Sequence, residues 1–368
     1  MTRRLKDMKK ISKFKAPIVA GLVVVVVIVS YSMMANKGDE TMKSTNFKNG
    51  KFINAVPNKD YTIGEYVKMT WEFFFGDKDG RVPKHPLPVV EPKAFHNPAS
   101  SVIQYTWLGH SSIILELEGK RFLLDPVFSE RVSFSQWMGP KRFHSTPISL
   151  EELPHIDAVL ISHNHYDHLD RMVIEHMIEN DVQFHVPLGV AKLLMKWGVK
   201  KKDIVEFDWW DETKAGGIRV IATPARHFSA RGIGDRDDAF WVSWSIIGEK
   251  HNMFFSGDTG MTPQFSEIGE RLGPFDITFI KIGAYDEQWP DMHIDPEEAV
   301  QAHLMLKGGQ LIPIHWGTFD LGLHHWQEPV ERLIVAAKKE NISLLISRIG
   351  ETVVPSDHIN SYWWRDVE

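Results

Sequence analysis

Four side chains that commonly bind metal ions occur within six positions of the chain: His163, His165, Asp167 and His168. They follow the apolar run 157–161, which predicts a buried strand. Imidazole and carboxylate groups lose hydration when they crowd together at the end of such a strand, and a bound cation compensates that loss. Both ligand types suit zinc. The H-x-H-x-D-H spacing therefore predicts a metal-binding loop, and a histidine-rich surface loop is the alternative.

Three further candidate ligands each follow a predicted strand elsewhere in the chain: His227, Asp258 and His315. Taken singly, a histidine after a strand is usually a structural residue, and the Gly-Asp-Thr-Gly run around Asp258 is usually a turn. The end of a strand is a rigid position, as a preorganised metal site requires. Because one loop supplies too few ligands for two ions, their shared position predicts that these three residues complete a two-metal site.

The composition limits the chemistry that these 368 residues can perform. The chain has no cysteine, which excludes thiolate metal ligands, disulfides and a cysteine nucleophile. Its net charge is −6, and residues 1–15 carry seven basic side chains and one acidic side chain, a balance of +6, so the remainder carries −12. Nucleic acid is therefore disfavoured as a partner, since its binding depends on basic side chains at the phosphates.

The N-terminal region predicts a membrane anchor. Residues 16–35 contain no charged side chain and are long enough to span a bilayer as a helix. A cleaved secretory signal is the alternative, but the apolar run is long for a signal and Met33-Met34-Ala35 is a poor cleavage site. The basic residues 1–15 precede the run. They predict a cytoplasmic tail, a single membrane pass and an extracytoplasmic catalytic domain.

The rest of the chain divides near residue 100. Residues 36–100 predict a polar tether, a helix that begins at a capping box of Thr62 and Glu65, and a proline-rich connector. The aromatic face of that helix predicts packing against the core, with contact to lipid as the alternative. Residues 101–368 predict the catalytic domain.

Strands and amphipathic helices occur in both halves of residues 101–368. This pattern favours two sheets that pack face to face and are flanked by helices, an α/β fold. The predicted strands are 102–107, 112–118, 121–125, 157–161, 183–186, 218–223, 240–247, 252–256, 276–282, 310–314 and 343–347. One predicted helix begins at residue 171. The other predicted helices cover 188–197, 263–272, 296–307 and 329–339.

The ordered set of metal-binding candidates resembles the metallo-β-lactamase superfamily, which implies an αββα sandwich with a dinuclear zinc site. More narrowly, residues 46–350 resemble the N-acyl-phosphatidylethanolamine-hydrolysing phospholipase D family. The runs that carry this likeness include Thr106-Trp107-Leu108-Gly109-His110, Met138-Gly139-Pro140-Lys141-Arg142-Phe143, Glu206-Phe207-Asp208-Trp209-Trp210, Asp295-Pro296-Glu297-Glu298-Ala299-Val300 and Ile314-His315-Trp316-Gly317-Thr318. The basic and apolar N-terminus departs from the animal members of that family.

The resemblance also assigns roles to the metal-binding candidates. Two zinc ions per chain are implied, one held by His163, His165 and His227 and the other by Asp167, His168 and His315, with Asp258 bridging both. Each ion keeps an open position for a shared water or hydroxide, which zinc makes available as a nucleophile near neutral pH.

Further residues have expected roles around these ions. His293 precedes a predicted helix start at Asp295, and the family places an active-site histidine there. We expect it to donate a proton to the departing alkoxide, with an exposed loop histidine as the alternative. Tyr166, inside the metal loop, is a candidate substrate contact. Asp125 and Asp170 are candidates for orienting ligand imidazoles, whereas His110 is more typical of a structural residue.

The predicted function is hydrolysis of N-acyl-phosphatidylethanolamine-type phospholipids to an N-acylethanolamine and phosphatidic acid. Its predicted partners are the membrane phospholipid substrate and, through the N-terminal helix, the bilayer, and the resemblance suggests a homodimer. A lactonase or a phosphodiesterase with a soluble substrate is the enzymatic alternative, and a membrane-anchored binding module with a relict metal site is the non-enzymatic one. The ligand set would also accept iron or manganese.

Overall fold

Two seven-stranded sheets form the body of the protein in the computed structural model, which describes residues 43–95 and 99–367. A short hairpin, β1 (Phe47–Lys48) and β2 (Lys51–Phe52), precedes them. The first sheet has the order β16-β3-β4-β5-β6-β7-β8, and it consists of β3 (Gln104–Gly109), β4 (Ser112–Leu117), β5 (Lys120–Leu124), β6 (Ala158–Leu160), β7 (Gln183–Pro187), β8 (Ile204–Phe207) and β16 (Thr352–Val353).

The second sheet repeats the plan of the first. Its order is β15-β14-β13-β12-β11-β10-β9, and it consists of β9 (Glu212–Ala215), β10 (Ile218–Thr223), β11 (Ser243–Ile247), β12 (Asn252–Phe255), β13 (Phe275–Lys281), β14 (Gly308–Ile314) and β15 (Ser343–Leu344). In each sheet, four neighbouring strands pair antiparallel and the others continue in parallel. The helices are α1 (Ile63–Phe75), α2 (Arg171–Met177), α3 (Ala191–Lys196), α4 (Gln264–Arg271), α5 (Pro296–Met305) and α6 (Glu328–Lys339), with 3₁₀ turns at Ile178–Asn180, Lys201–Asp203 and Trp363–Asp366.

The sheets bury both of their faces, which explains why their strands are apolar almost throughout. Along β4, Ile113 and Leu115 belong to the core between the sheets, whereas Ile114 belongs to the core under α2 and α3. The rings of Tyr105 and Phe279 meet across the sandwich with centroids 5.2 Å apart. On the far side, α4, α5 and α6 cover the second sheet. The predicted arrangement of two mixed sheets flanked by helices is confirmed.

The strands that the sequence analysis missed lie at or beside the edges of the sheets. β9 has the sequence Glu-Thr-Lys-Ala and only Ala215 of it is buried, so it carries no apolar signal. β8 and β16 have four and two residues and are held by their neighbours in the sheet. β9 pairs with the neighbouring β10 across a tight turn and was missed because its side chains are polar. β16 forms because the distant strand β3 supplies its hydrogen bonds, a partner that local sequence does not reveal.

The segment expected to be a tether packs instead against the loop between β10 and β11 of the second sheet. Phe52 is 2% exposed and stacks on Phe240, with ring centroids 4.7 Å apart. The following helix, α1, begins at the predicted capping box of Thr62 and Glu65. The expected burial of its aromatic face was wrong, because none of its residues is buried and Phe75 is 60% exposed.

The structure does not bear out the predicted single-pass localisation, and that prediction is corrected. Over residues 43–95 and 99–367, no helix combines the length and the apolarity that crossing a bilayer requires. The run 16–35, to which the anchor was assigned, lies outside the described residues.

Candidate metal centre

The candidate ligands converge where strand ends of both sheets meet. The first sheet supplies the loop after β6, with His163, His165, Asp167 and His168. The second sheet supplies one residue after each of three strands: His227 after β10, Asp258 after β12 and His315 after β14. Parallel strands such as β12, β13 and β14 end at the same edge of a sheet, which is why residues far apart in sequence become neighbours here.

Three histidines form the first ligand group. His163 Nε2 lies 2.8 Å from His165 Nδ1, and His227 Nε2 lies 3.3 Å from that same nitrogen. At most one hydrogen can occupy each gap, so three ring nitrogens that point at one another are poorly satisfied without a cation. The structure brings together the three residues that were predicted to share one ion.

Asp167, His168 and His315 form the second ligand group. Asp167 Oδ2 lies 3.4 Å from His168 Nε2 and 3.4 Å from His315 Nε2. His315 adopts a left-handed backbone conformation, with φ of 63°, directly after β14. A fourth residue joins them, because His110 Nε2 lies 3.0 Å from Asp167 Oδ2. The sequence analysis had treated His110 as structural.

Asp258 lies between the two groups. Its Oδ2 atom is 3.3 Å from His168 Nε2, 3.1 Å from His315 Nε2 and 3.8 Å from His227 Nε2. One carboxylate oxygen therefore faces ring nitrogens of both groups. This is the placement expected of a bridging ligand.

The buried charges of the site shift the pKa values strongly. Burial opposes ionisation of Asp258, but the charges of His315 and His168 hold the pKa of its carboxyl well below the ordinary value. Burial alone would lower the pKa of His168, whereas Asp258 and Asp167 raise it well above its ordinary value. Burial, reinforced by neighbouring imidazoles, lowers the pKa of His163 well below its usual value. Burial also lowers the pKa of His165 and His227, so the three rings of the first ligand group are neutral at pH 7, the form that binds metal.

Several buried atoms of the site lack a hydrogen-bond partner among the described residues. They are His168 Nε2, His315 Nε2, His293 Nδ1 and Asp258 Oδ1. Buried polar atoms are rarely left unpaired in proteins, and ring nitrogens that meet a shared carboxylate suit a divalent cation. The donor set of this chain thus fits a metal centre.

Asp125 and Asp170 support the metal loop in different ways. Asp125 is fully buried, and its Oδ2 accepts from His168 Nδ1 at 2.7 Å, which directs the His168 Nε2 atom into the site. Asp170 was expected to orient an imidazole. It accepts instead from the backbone N–H groups of Phe128, Ser129 and Met172, so it anchors the end of the loop.

A backbone carbonyl and the side-chain amide of Asn54 hold His227 in place. Its Nδ1 atom donates to the Met292 carbonyl at 3.0 Å, which leaves Nε2 free for the site. Asn54 fixes the backbone of His227 in both directions, since its Oδ1 accepts from the His227 N–H at 3.0 Å and its Nδ2 donates to the carbonyl at 2.8 Å. No motif pointed to Asn54, because it lies in the segment expected to be a tether.

His293 and Tyr166 line two different cavities. His293 Nδ1 is 3.7 Å from Asp258 Oδ2, and the residue lines a cavity of about 450 Å³. Burial and then the charge of Lys281 lower the pKa of His293 well below its ordinary value. The Tyr166 hydroxyl donates to the Arg231 carbonyl at 2.9 Å, and its ring lies under the Arg231 guanidinium beside a groove of about 820 Å³.

Comparison with known proteins identifies the class to which this fold and site belong. A family model described as the beta-lactamase superfamily domain matches residues 120–316. An isothiocyanate hydrolase from Delia radicum gut bacteria shares the fold, with a TM-score of 0.55 and 20% sequence identity over 68% of this chain and 98% of that one. The chain belongs to the metallo-β-lactamase superfamily and is related to its N-acyl-phosphatidylethanolamine-hydrolysing phospholipases D.

That narrower relationship follows from the first of two relatives. N-acyl-phosphatidylethanolamine-hydrolyzing phospholipase D 1 of Caenorhabditis elegans is 36% identical over 268 residues, 69% of this chain and 75% of that protein. An uncharacterised protein of Mycobacterium tuberculosis is 42% identical over 330 residues, 88% of each chain. The resemblance drawn from the sequence motifs is confirmed, and the chain is a metal-dependent hydrolase.

Proposed function

We propose that this protein is a dinuclear zinc phosphodiesterase that hydrolyses N-acyl-phosphatidylethanolamine-type phospholipids to an N-acylethanolamine and phosphatidic acid. The observation that carries the proposal is the position of Asp258 Oδ2, within 3.8 Å of ring nitrogens from both ligand groups. The name of the Caenorhabditis elegans relative supports the choice of substrate.

In this proposal the seven ligand candidates divide as their geometry suggests. His163, His165 and His227 would hold one ion, Asp167, His168 and His315 the other, and Asp258 both. When bound, two zinc ions lower the pKa of coordinated water and offset the charge of a phosphate. The protein contributes the fixed geometry, because Asp125 and the Met292 carbonyl hold the rings in orientation before substrate arrives.

His293 acts on the departing oxygen in this proposal. Its pKa lies well below the ordinary value, so its ring is neutral at pH 7. A neutral imidazole gives up its proton reluctantly but donates a hydrogen bond readily. We therefore assign His293 as a hydrogen-bond donor that stabilises the leaving alkoxide, which modifies the role of proton donor expected from the sequence.

The decisive assay follows the oxygen atom of water. The zinc-loaded full chain is incubated with N-acyl-phosphatidylethanolamine in mixed micelles and ¹⁸O-water, and both products are analysed by mass spectrometry. Attack at phosphorus places the label in phosphatidic acid and leaves the N-acylethanolamine unlabelled. Label in the N-acylethanolamine, or turnover of a lactone without turnover of the lipid or of bis-p-nitrophenyl phosphate, would reject the proposal.

The role of His293 is tested separately with His293→Ala. We expect turnover to fall by roughly 10²-fold, as for loss of one donor to a developing oxyanion. The metal content, measured by inductively coupled plasma mass spectrometry, should equal that of the unsubstituted protein. Because His293 also lies beside His227 and Asp258, loss of an ion in this variant would instead make it a ligand.

A further inference from the structure

A lysine is buried at the end of β13, the strand between β12 and β14, which are followed by the candidate ligands Asp258 and His315. Lys281 is 0% exposed, and it follows the run Phe-Ile in a strand that is otherwise apolar near its end. Its Nζ atom donates to the Gly283 carbonyl at 2.6 Å and to the Ile294 carbonyl at 3.3 Å. A buried lysine is costly, so two neutral acceptors as its hydrogen-bond partners call for an explanation.

The two carbonyls mark the ends of one loop. This loop, residues 282–295, connects β13 to α5 and is here called the β13–α5 loop. Near its start, the backbone of Gly283 lies so close to the His315 carbonyl that a side chain has no room there. Near its end, the Ile294 N–H donates to the Thr259 carbonyl at 2.9 Å. Lys281 therefore joins both ends of the loop from beneath.

The β13–α5 loop presents two groups to the site. The Met292 carbonyl accepts from His227 Nδ1, and His293 Nδ1 lies 3.7 Å from Asp258 Oδ2. Both are within two residues of Ile294, whose carbonyl Lys281 holds. A displacement of Ile294 would therefore move the Met292 carbonyl, which supports the candidate ligand His227. It would move His293, the candidate hydrogen-bond donor, at the same time.

We propose that Lys281 is a positioning residue that clamps the base of the β13–α5 loop and so fixes His227 and His293 for the reaction. The functional part of this inference rests on the proposed function, whereas the clamp itself does not. Burial lowers the pKa of Lys281 to about 8. The clamp tolerates either protonation state, because an ammonium has three N–H bonds and a neutral amine has two.

The test compares Lys281→Met with a control on the same strand. Methionine keeps the approximate length of the side chain and removes both hydrogen bonds that Lys281 donates. Thr278→Val is the control, because it removes another buried hydrogen bond of β13, the 2.8 Å contact of Thr278 Oγ1 with His303 Nδ1 in α5. Hydrogen exchange of the peptide 283–294 should be about 10-fold faster or more in Lys281→Met, as expected for two lost bonds, and unchanged in Thr278→Val.

Kinetics with bis-p-nitrophenyl phosphate provide a second measurement. We expect kcat of Lys281→Met to fall about 10-fold while KM changes less than twofold, because the loop positions reacting groups without enclosing this small substrate. The clamp would be rejected if hydrogen exchange over 283–294 were unchanged in Lys281→Met, or if it were equally fast in Thr278→Val. Since exchange needs no substrate, failure of the lipid assay with a positive exchange result would reject only the proposed function.

Chemical rescue separates a clamp from a general loss of packing. Lys281→Ala removes three methylene groups and the amine, which together correspond to propylamine. Propylamine should restore slow exchange over 283–294, whereas 1-propanol, of equal length but with a single donor, should not. If both compounds slowed exchange equally, or if neither slowed it, a clamp with two donors would be contradicted.

Discussion

The two sheets support their halves of the metal centre by different means. In the first half, four candidate ligands lie in one loop beside the buried carboxylate of Asp125, which accepts from the Ser162 N–H at 2.6 Å and from His168 at 2.7 Å. In the second half, each candidate ligand follows the end of a different strand. His227 there depends on neutral groups, the Met292 carbonyl and the Asn54 amide.

This difference shows how one site combines two sources of preorganisation. Hydrogen bonds to a charged group are about twice as strong as those between neutral groups, so the first half is held by few, local contacts. The second half needs several weaker contacts from remote segments, including residues near Asn54 and the β13–α5 loop. Substitutions should therefore damage the two halves to different degrees.

The largest effect should come from Asp258→Ala, because Asp258 joins the two ligand groups. Its loss leaves ring nitrogens of both groups without their shared carboxylate, so we expect both ions to bind weakly. Hydrolysis should fall by more than the ~10–100-fold that loss of a supporting residue costs. Metal analysis together with the phosphodiester assay measures this. Retention of two ions with activity within tenfold would show that the two ligand groups do not depend on Asp258.

A pair of supporting residues compares the halves directly. Asp125→Ala should reduce metal affinity or activity by ~10–100-fold, because His168 loses the carboxylate that orients it. Asn54→Ala removes neutral hydrogen bonds to the His227 backbone, which water can partly replace, and should cost about fivefold, a net loss of roughly 1 kcal/mol. Zinc titration with a competing chelator measures both. A larger effect of Asn54→Ala than of Asp125→Ala would show that the second half depends more strongly on its supporting residue than the first.

The last comparison concerns stability and not activity, and it uses two buried histidines, His185 in β7 of the first sheet and His303 in α5, which covers the second sheet. Burial lowers the pKa of each to about 4. The unfolded chain binds these protons near pH 6.5, so each histidine lowers the free energy of unfolding as the pH falls from 6.5 towards 4, by about 2 kcal/mol between pH 7 and 5. His185→Leu and His303→Leu should each remove that dependence in urea denaturation.

The two leucine variants should differ at pH 7. His185 Nδ1 has no hydrogen-bond partner among the described residues, so its replacement should be nearly neutral. His303 Nδ1 pairs with Thr278 Oγ1, and its loss should cost about 1 kcal/mol more. Equal stabilities at pH 7, or an unchanged slope with pH, would contradict this account.

The sequence predicted the first half of the site more fully than the second. His163, His165, Asp167 and His168 are ligand types at fixed spacing in one loop, so their proximity required no knowledge of the fold. His227, Asp258 and His315 were found because each follows an apolar strand. Asn54 and Lys281 were missed. The only available signal for Lys281 was a charge inside the apolar run Phe-Ile-Lys-Ile, and Asn54 had none.

Errors in the fold also lay where distant contacts decide the outcome. The apolar strands of the sandwich were predicted because both of their faces are buried, whereas β16 forms on the edge of β3, which is far away in sequence. For α1, the capping box correctly gave the start of the helix, but the expectation that its aromatic face is buried failed. Local hydrogen bonds set where a helix begins, and only the neighbouring surface decides what its face contacts.

The amino-acid sequence by itself determined the fold class, the family and the kinds of side chain that meet a metal ion, because each of these is encoded in patterns of a few adjacent residues. The tertiary structure alone decided that Asn54 fixes His227 and that Lys281 lies beneath the β13–α5 loop. Those relations join residues up to 173 positions apart, as in the pair Asn54 and His227. Their distances follow from the packing of the two sheets, which no local pattern specifies.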